Sequence, residues 1–179
     1  DSEVAALESW KAIKKKLCSL CVPIPERSSN ETIGHLREKQ AQYIETVGCP
    51  LPEEYLRFLR VTEGAVGFPE GAVCEVAAVG NVAAGQNRIS VAFLYGLLET
   101  EQYDACLACR RHAGLLRQGL VPIGEDVRSR LLCLGVGMSH EGRVVLLLSG
   151  EEGSTESAAQ NLMVLAHSFE SFLQALHLP

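Results

Sequence analysis

The spacing of apolar residues changes near residue 64, and this change constrains the fold more than any single motif. In the first third of the chain, apolar residues recur at steps of three and four, the period of an amphipathic helix. The first such series is Val4, Leu7, Trp10, Ile13, Leu17 and Leu20. Beyond residue 64, runs of valine, alanine and leucine are separated by glycine, which predicts strands and turns. The sequence therefore predicts helices first and a strand-rich part after them.

Three helices are predicted before residue 64. The first ends before Pro23, because proline supplies no N–H to a helix and restricts the residue that precedes it. The second starts after an N-cap at Asn30 and stops at Gly48. The third starts at Leu51-Pro52, since proline suits the first helical turn, and it ends within residues 62–64.

Six strands and a closing helix are predicted after residue 64. The strands are Ala72–Val79, Arg88–Leu94, Leu120–Ile123, Arg130–Val136, Arg143–Leu148 and Leu162–His167. Residues 99–116 have a helical pattern with Tyr103 on one side of it, and the polar segment 150–157 predicts a loop. Ser168 is expected to cap a final helix. That helix is expected to pack through Phe169, Phe172, Leu173 and Leu176.

The order of these elements predicts an α+β fold. We expect a mostly antiparallel central sheet with the N-terminal helices and a C-terminal helix packed on it, because this arrangement buries the apolar side of every element. A length of 179 residues and a hydrophobic content of 47% suit one compact domain with a buried core. No linker divides the sequence, so residues 1–179 are expected to form a single domain.

Composition narrows the classes of partner. The chain has 16 Lys and Arg residues against 22 Asp and Glu residues, a net charge of −6. Proteins that bind nucleic acids or anionic membranes carry a basic excess instead. No window approaches the ~18–20 uninterrupted apolar residues of a membrane span. We therefore expect neither nucleic acid nor membrane as a partner, and the acidic charge suits a basic protein.

The seven cysteines predict free thiols. Their number is odd and most of them lie in apolar segments, whereas disulfide-rich secreted domains are short, loop-rich and have paired cysteines. This pattern favours a protein of the cytoplasm, or of the nucleus if its source is viral or eukaryotic. No cofactor is expected.

Two cysteine pairs nevertheless have the spacing of metal ligands. Cys18 and Cys21 are three positions apart, as are Cys106 and Cys109, so both thiols of a pair share one face of a helix. Two such helices side by side would form a four-sulfur zinc site. Buried structural thiols are the simpler interpretation, because apolar residues flank the pairs and free cysteine behaves as a small hydrophobe. Redox chemistry is a third alternative.

No catalytic constellation is predicted. Ser139 and His140 lie between Gly137 and Gly142, in a segment that resembles a nucleophile elbow. That motif needs glycine two residues after the serine and a helix behind it. Here Glu141 occupies the position and a strand follows, so a hairpin turn is predicted.

Four landmarks follow one another in an order that is typical of one superfamily. The first is a helix with Trp10, and the second is a Leu-Pro-x-x-Tyr-x-x-Phe-Leu segment that begins at Leu51 and is followed by Gly64. The third is a Val-Pro-Ile-Gly strand at residues 121–124, with an apolar strand behind it. The fourth is an Ala-x-Ser-Phe-x-x-Phe-Leu helix at residues 166–173. Over about residues 8–177 the chain resembles the SUKH superfamily, which includes the Smi/Knr-type domains.

Two positions depart from the pattern of that superfamily. Glu63 precedes the helix-ending glycine where asparagine is frequent, and Gly135 follows the apolar strand where aspartate is usual. The chain therefore resembles a divergent member.

The resemblance implies a non-enzymatic protein-binding module. Bacterial members resemble immunity proteins that hold toxins, often nucleases or nucleic-acid deaminases, and this is the leading hypothesis. The alternative is a viral or eukaryotic adaptor of the same fold that sequesters host-defence factors. The partner-binding contacts are expected at exposed acidic positions of the sheet and loops, which are Glu53, Glu54, Glu63, Glu125 and Asp126.

Overall fold

A seven-stranded antiparallel sheet organises the described part of the chain. The structure is a computed structural model, and it describes residues 2–23, 32–62, 65–75, 88–97, 103–137, 140–148 and 162–179. The helices in these ranges are α1 (Ser2–Leu20), α2 (Thr32–Val47), α3 (Glu53–Thr62), α4 (Ala105–Arg111), α5 (Gly114–Arg117) and α6 (Phe169–Ala175). The strands are β1 (Val22–Pro23), β2 (Val66–Glu75), β3 (Arg88–Leu94), β4 (Leu120–Asp126), β5 (Leu131–Gly135), β6 (Val144–Leu147) and β7 (Leu162–Ala166).

Each strand pairs with its neighbour in sequence, so the strand order in the sheet runs from β1 to β7 and every pairing is antiparallel. The β4–β5 and β5–β6 connections, of four and eight residues, are short enough for hairpins between antiparallel strands. The predicted α+β fold, with its N-terminal helices and its C-terminal helix, is therefore confirmed. Among the described residues, no helix combines the length and the apolar character that crossing a bilayer requires.

The sheet is strongly curled. Helix α6 contacts both β2 and β7, although four strands lie between them. In a flat sheet those two strands would be roughly 24 Å apart, whereas a seven-residue helix is only about 10 Å long. Curling brings the two strands to the same helix. The chain then ends beside β2, where Val73 and His177 exchange two backbone hydrogen bonds of 2.7 and 3.0 Å.

An aromatic cluster joins α3 to α6 inside this curl. Tyr55 and Phe58 of α3 contact Phe169 of α6, with ring centroids 5.0 and 5.5 Å apart, and Phe169 stacks on Phe172 at 6.2 Å. All four rings are fully buried. The predicted packing face of the closing helix is therefore confirmed, and aromatic pairs of this geometry stabilise beyond the area they bury.

Two side chains complete the start of α6. The Ser168 hydroxyl accepts a hydrogen bond from the backbone N–H of Ser171 at 3.0 Å, which confirms the predicted cap. The carboxylate of Glu54, from α3, accepts another from the backbone N–H of Phe169 at 3.0 Å. Because the first N–H groups of a helix have no partner within the helix, these bonds both satisfy α6 and attach it to α3.

The structure differs from the prediction at the first two strands. β2 begins at Val66, six residues before the predicted start, and it runs through Pro69 and Gly71. Those two residues resemble a loop in the sequence, but a register shift between residues 67 and 72 accommodates them as a bulge in the strand. β1 was not predicted, since two residues that include a proline carry no strand pattern.

The helical pattern at residues 99–116 corresponds to two short helices. Asp104 caps α4, and α5 follows after a turn at residues 112–113. Tyr103, predicted on a helix, precedes α4 and contacts the sheet instead. The predicted N-cap at Asn30, the end of the first predicted strand and the loop at 150–157 lie outside the described residues.

A buried hydroxyl of α3 supplies the first stability prediction. The Tyr55 hydroxyl donates to the backbone oxygen of Tyr95 and lies 3.2 Å from that of Ile123. We expect Tyr55→Phe to lower the free energy of unfolding by about 1–3 kcal/mol, because the buried oxygen of Tyr95 loses this donor. Urea unfolding measures the change. Tyr103→Phe is the matched control, and an equal loss in both variants would contradict the assignment.

Candidate partner-binding surface

The five predicted acidic contacts occupy different environments. Glu53 is exposed in the first turn of α3, where Arg57 and Arg60 approach its carboxylate at 3.8 and 3.6 Å. Such long, solvated ion pairs contribute little free energy. The neighbouring Glu54 is partly buried and caps α6. Glu63 lies outside the described residues.

Asp126 is not an exposed contact residue, contrary to the prediction. Its side chain is fully buried, and its Oδ1 accepts the backbone N–H groups of Arg128 and Arg130 at 3.0 and 2.7 Å. Its Oδ2 forms a 2.7 Å ion pair with the Arg130 guanidinium. A carboxylate that accepts backbone N–H groups of the residues after it defines a tight turn. Asp126 therefore shapes the β4–β5 turn and has no oxygen facing solvent.

Glu125, the neighbour of Asp126, points to the other face of β4 and is only half-buried. Its Oε2 accepts a hydrogen bond of 2.9 Å from the Tyr95 hydroxyl. No cation of the described residues lies within ion-pair distance of it. One carboxylate oxygen is therefore held in place, and the other has no protein donor among the residues described.

Aromatic rings surround this carboxylate. Phe93 lies directly opposite Glu125 in the β3–β4 register. Its ring meets Tyr95 and Tyr103 edge-on, with centroids 5.5 and 5.0 Å apart. Phe93 and Tyr103 are half-buried, whereas Tyr95 is only 2% exposed. We call the four residues Phe93, Tyr95, Tyr103 and Glu125 the Glu125 patch.

The backbone beside Gly96 positions Tyr103. The Gly96 N–H donates to the Tyr103 oxygen at 2.9 Å, and the Ala105 N–H donates to the Gly96 oxygen at 2.9 Å. This short parallel bridge holds the residue before α4 against the end of β3. Phe93 and Glu125 therefore come from strands of the sheet and Tyr95 directly follows β3, whereas Tyr103 comes from the chain that enters α4.

Electrostatics keep the Tyr95 hydroxyl a donor. Burial raises the pKa of Tyr95, and the charge of Glu125 together with their hydrogen bond raises it further, while the nearby Arg111 guanidinium acts in the opposite direction. The phenol is therefore protonated at neutral pH. It can then orient the Glu125 carboxylate permanently, which a tyrosinate could not do.

The net negative charge of the chain does not lie on the described surface. The described ranges contain 15 Lys and Arg residues and 13 Asp and Glu residues, a net +2, whereas the rest of the sequence has one Arg and nine acidic residues. The overall charge of −6 therefore does not make this surface acidic. Complementarity to a basic partner has to come from local groups such as Glu125.

The two cysteine pairs do not meet. The described residues, which include all four thiols, contain no group of three or more side chains that could hold a metal ion. The Sγ atom of Cys21 contacts the backbone oxygen of Leu17 at 3.0 Å, and that of Cys109 lies 3.3 Å from the Tyr43 hydroxyl. The geometry therefore provides no four-sulfur zinc site of the kind that the spacing suggested.

Thiol reactivity gives a second prediction. Burial is the main cause that raises the pKa of Cys21 and of Cys109 to about 11, and it raises that of the fully buried Cys133 further. Thiolates are the reactive form, so we expect iodoacetamide at pH 8 to label the exposed Cys18 first. Labelling of Cys133 should require unfolding.

Peptide mass spectrometry over a time course measures this order, with Cys18→Ser as the control that removes the fast phase. Because the pKa values are raised, labelling of Cys21 and Cys109 should accelerate as the pH rises from 8 towards 10. Labelling of Cys133 as fast as that of Cys18 in the folded protein would contradict the burial of these thiols.

Glu125 was among the predicted contacts, whereas its aromatic neighbours were not. The alternation Phe93-x-Tyr95, which begins in the predicted strand Arg88–Leu94 and extends one residue beyond it, places both rings on one face. The contribution of Tyr103 was hidden, because it depends on the bridge beside Gly96.

Comparison with known proteins agrees with this architecture. The model of the SMI1/KNR4 family, SUKH-1, matches residues 37–175, which is more than half of the chain and spans α3, α6 and the sheet from β2 to β7. A search of curated proteins finds no match. The family match includes the aromatic cluster, the Glu125 patch and the β5–β6 hairpin. The chain therefore belongs to the SMI1/KNR4 family, SUKH-1.

Proposed function

We propose that this chain is a non-enzymatic protein-binding module of the immunity type, which holds and neutralises a toxin or nuclease partner. Family membership supports the general class, because SUKH domains are known as immunity-type and protein-interaction modules. The single observation that carries the proposal is the Glu125 patch. It combines an oriented carboxylate with the partly exposed aromatic rings of Phe93 and Tyr103.

Protein interfaces concentrate their binding energy in residues of this kind. Aromatic side chains are enriched at binding hot spots, and a charge contributes most where neighbouring contacts exclude water. The Tyr95 hydroxyl fixes the carboxylate of Glu125 before the partner arrives. Binding then orders fewer side-chain rotamers, which lowers its entropic cost.

The alternative is an adaptor of the same fold in a virus or a eukaryotic cell, which sequesters a host-defence protein in the cytoplasm or nucleus. Seven free cysteines favour this alternative. The two functions differ in the captured protein. A toxin nuclease or deaminase supports the immunity function, whereas a signalling or cell-death factor supports the adaptor.

Affinity capture from native host lysate, followed by mass spectrometry and a direct binding measurement, tests the proposal. We expect the double variant Phe93→Ala with Glu125→Gln to weaken partner binding at least tenfold, which corresponds to about 1.4 kcal/mol. Glu75→Gln is the matched control, because it neutralises an exposed carboxylate at the end of β2 that is not among the predicted contacts, and the affinity of this variant should change less than about twofold.

The circular dichroism spectra and melting temperatures of both variants establish that they fold. A folded double variant with unchanged affinity would rule out the Glu125 patch as the binding site. Turnover of a small-molecule substrate by the wild-type chain would contradict the non-enzymatic assignment itself.

A further inference from the structure

We propose that the Glu125 patch binds an arginine side chain of the partner, whose guanidinium pairs with the free oxygen of Glu125 and packs on the rings of Phe93 and Tyr103. This inference rests on the proposed function and names the group that the binding site recognises. It follows from the missing countercharge, the fixed carboxylate and the adjacent rings.

The first observation behind this inference is that no cation of the described residues lies close to Glu125. Some carboxylates of the described surface have cations nearby, as Glu53 has Arg57 and Glu75 has Arg88 at 3.9 Å. Glu125 has none within 4.0 Å, although it is half-buried. A partly desolvated carboxylate without a cation interacts more strongly with an incoming cation than a fully solvated one does.

The second observation is that Tyr95 holds the carboxylate of Glu125 in place. Tyr95 is almost fully buried, and its hydroxyl holds Oε2 of Glu125 at 2.9 Å. The position of Oε1 is thereby restricted before any ligand binds. Hydrogen bonds between an ionised carboxylate and a guanidinium are about twice as strong as those between neutral groups. One arginine N–H can occupy the free oxygen without displacing Tyr95.

The third observation is the adjacent rings, which select arginine over lysine. Phe93 lies opposite Glu125 in the register and contacts Tyr103 edge-on at 5.0 Å. A guanidinium is planar and weakly hydrated, so it can lie on an aromatic ring while its edge donates to a carboxylate. A lysine ammonium is compact and strongly hydrated, and it gains less from the same surface.

Arg111 provides a test of whether the Glu125 patch prefers a positively charged ligand. Its guanidinium, at the C-terminal end of α4, is close enough to Tyr95 to act on the pKa of that phenol. We therefore expect its positive charge to disfavour a second cation at the neighbouring Glu125 patch. Neutralising it with Arg111→Gln should strengthen the binding of a cation and weaken that of an anion, whereas a merely structural effect would weaken both.

The experiment is an amide NMR titration of the full chain with N-acetyl-arginine methylamide. The corresponding citrulline compound is the control, since it has nearly the same shape without the charge. We expect saturable shifts at residues 93, 103 and 125 with a dissociation constant of about 1–10 mM. Citrulline and lysine probes should bind about fivefold more weakly or worse.

The variants complete the test. The Glu125→Gln variant should bind the arginine probe about fivefold more weakly or worse. The Arg111→Gln variant should bind it about twofold more tightly. Absent shifts at the Glu125 patch, equal binding of the citrulline probe, or weaker binding by Arg111→Gln would each overturn the inference. If the Phe93 and Glu125 double variant still loses its protein partner in those cases, the proposed function stands and only the arginine assignment fails.

Discussion

Replacing Gly135 with alanine is expected to lower the free energy of unfolding by roughly 3 kcal/mol or more. A Cβ atom at this position would lie closer than 3.0 Å to both the carbonyl oxygen and the carbonyl carbon of His140. These are backbone atoms, so no rotamer change relieves the overlap. The hairpin also cannot move away freely, because Gly135 exchanges hydrogen bonds of 2.9 and 3.0 Å with Arg143 and Gly142.

Gly137→Ala is the matched control in the same connection. A Cβ atom there meets nothing within 4 Å, and surface substitutions of this kind usually change stability by less than about 0.5 kcal/mol. Urea unfolding of the two variants measures the difference. Equal stability of both would show that the β5–β6 hairpin does not approach Gly135 as closely as described.

This prediction also explains a departure from the family pattern. The family resemblance implies aspartate at this position, and here the hairpin backbone occupies the space of a side chain. Gly135→Asp should therefore be at least as destabilising as Gly135→Ala. The glycine is a consequence of this hairpin and does not by itself indicate a changed function.

Phe169→Ala is expected to lower the free energy of unfolding by about 3–5 kcal/mol. The ring is fully buried and contacts Tyr55, Phe58 and Phe172, so truncation leaves a cavity where α3 meets α6. The surrounding rings belong to two helices and the sheet lies behind them, which limits how far they can collapse into the cavity.

Leu148→Ala serves as the control for Phe169→Ala, because Leu148 is 41% exposed just after β6 and should change stability by about 0.5 kcal/mol or less. Thermal and urea unfolding measure both variants. A loss below about 1.5 kcal/mol for Phe169→Ala would mean that the aromatic cluster is not the centre of the core.

The sequence predicted elements best where local signals agreed with tertiary packing. Ser168 and the aromatic residues behind it specify a helix whose cap and buried face are both confirmed. Prediction was poorest at β2, because Pro69 and Gly71 are compatible with a strand only when a bulge in the β2–β3 pairing accommodates them. That pairing is a contact between distant residues, and local propensity does not encode it.

The candidate site shows the same division. Glu125 and Asp126 are adjacent and equally acidic in the sequence, and both were predicted as partner contacts. A strand places them on opposite faces, but only the pairing with β3, which is irregular between Val91 and Phe93, decides which face is covered. A shift of one residue in the register would exchange their environments. In the observed register, Asp126 accepts the hydrogen bonds of the tight turn and the aromatic rings surround Glu125.

The sequence by itself determined the α+β class, the family and the closing helix. Periodicity, capping and turn residues act over a few positions, so they can be recognised without knowing the fold. Tertiary structure alone decided which carboxylate remains available, that the cysteine pairs stay apart, and that Gly135 tolerates no side chain. Each of these depends on atoms that are distant in sequence or on the register of a hairpin. Strand pairing sets those distances, and it is a property of the whole sheet.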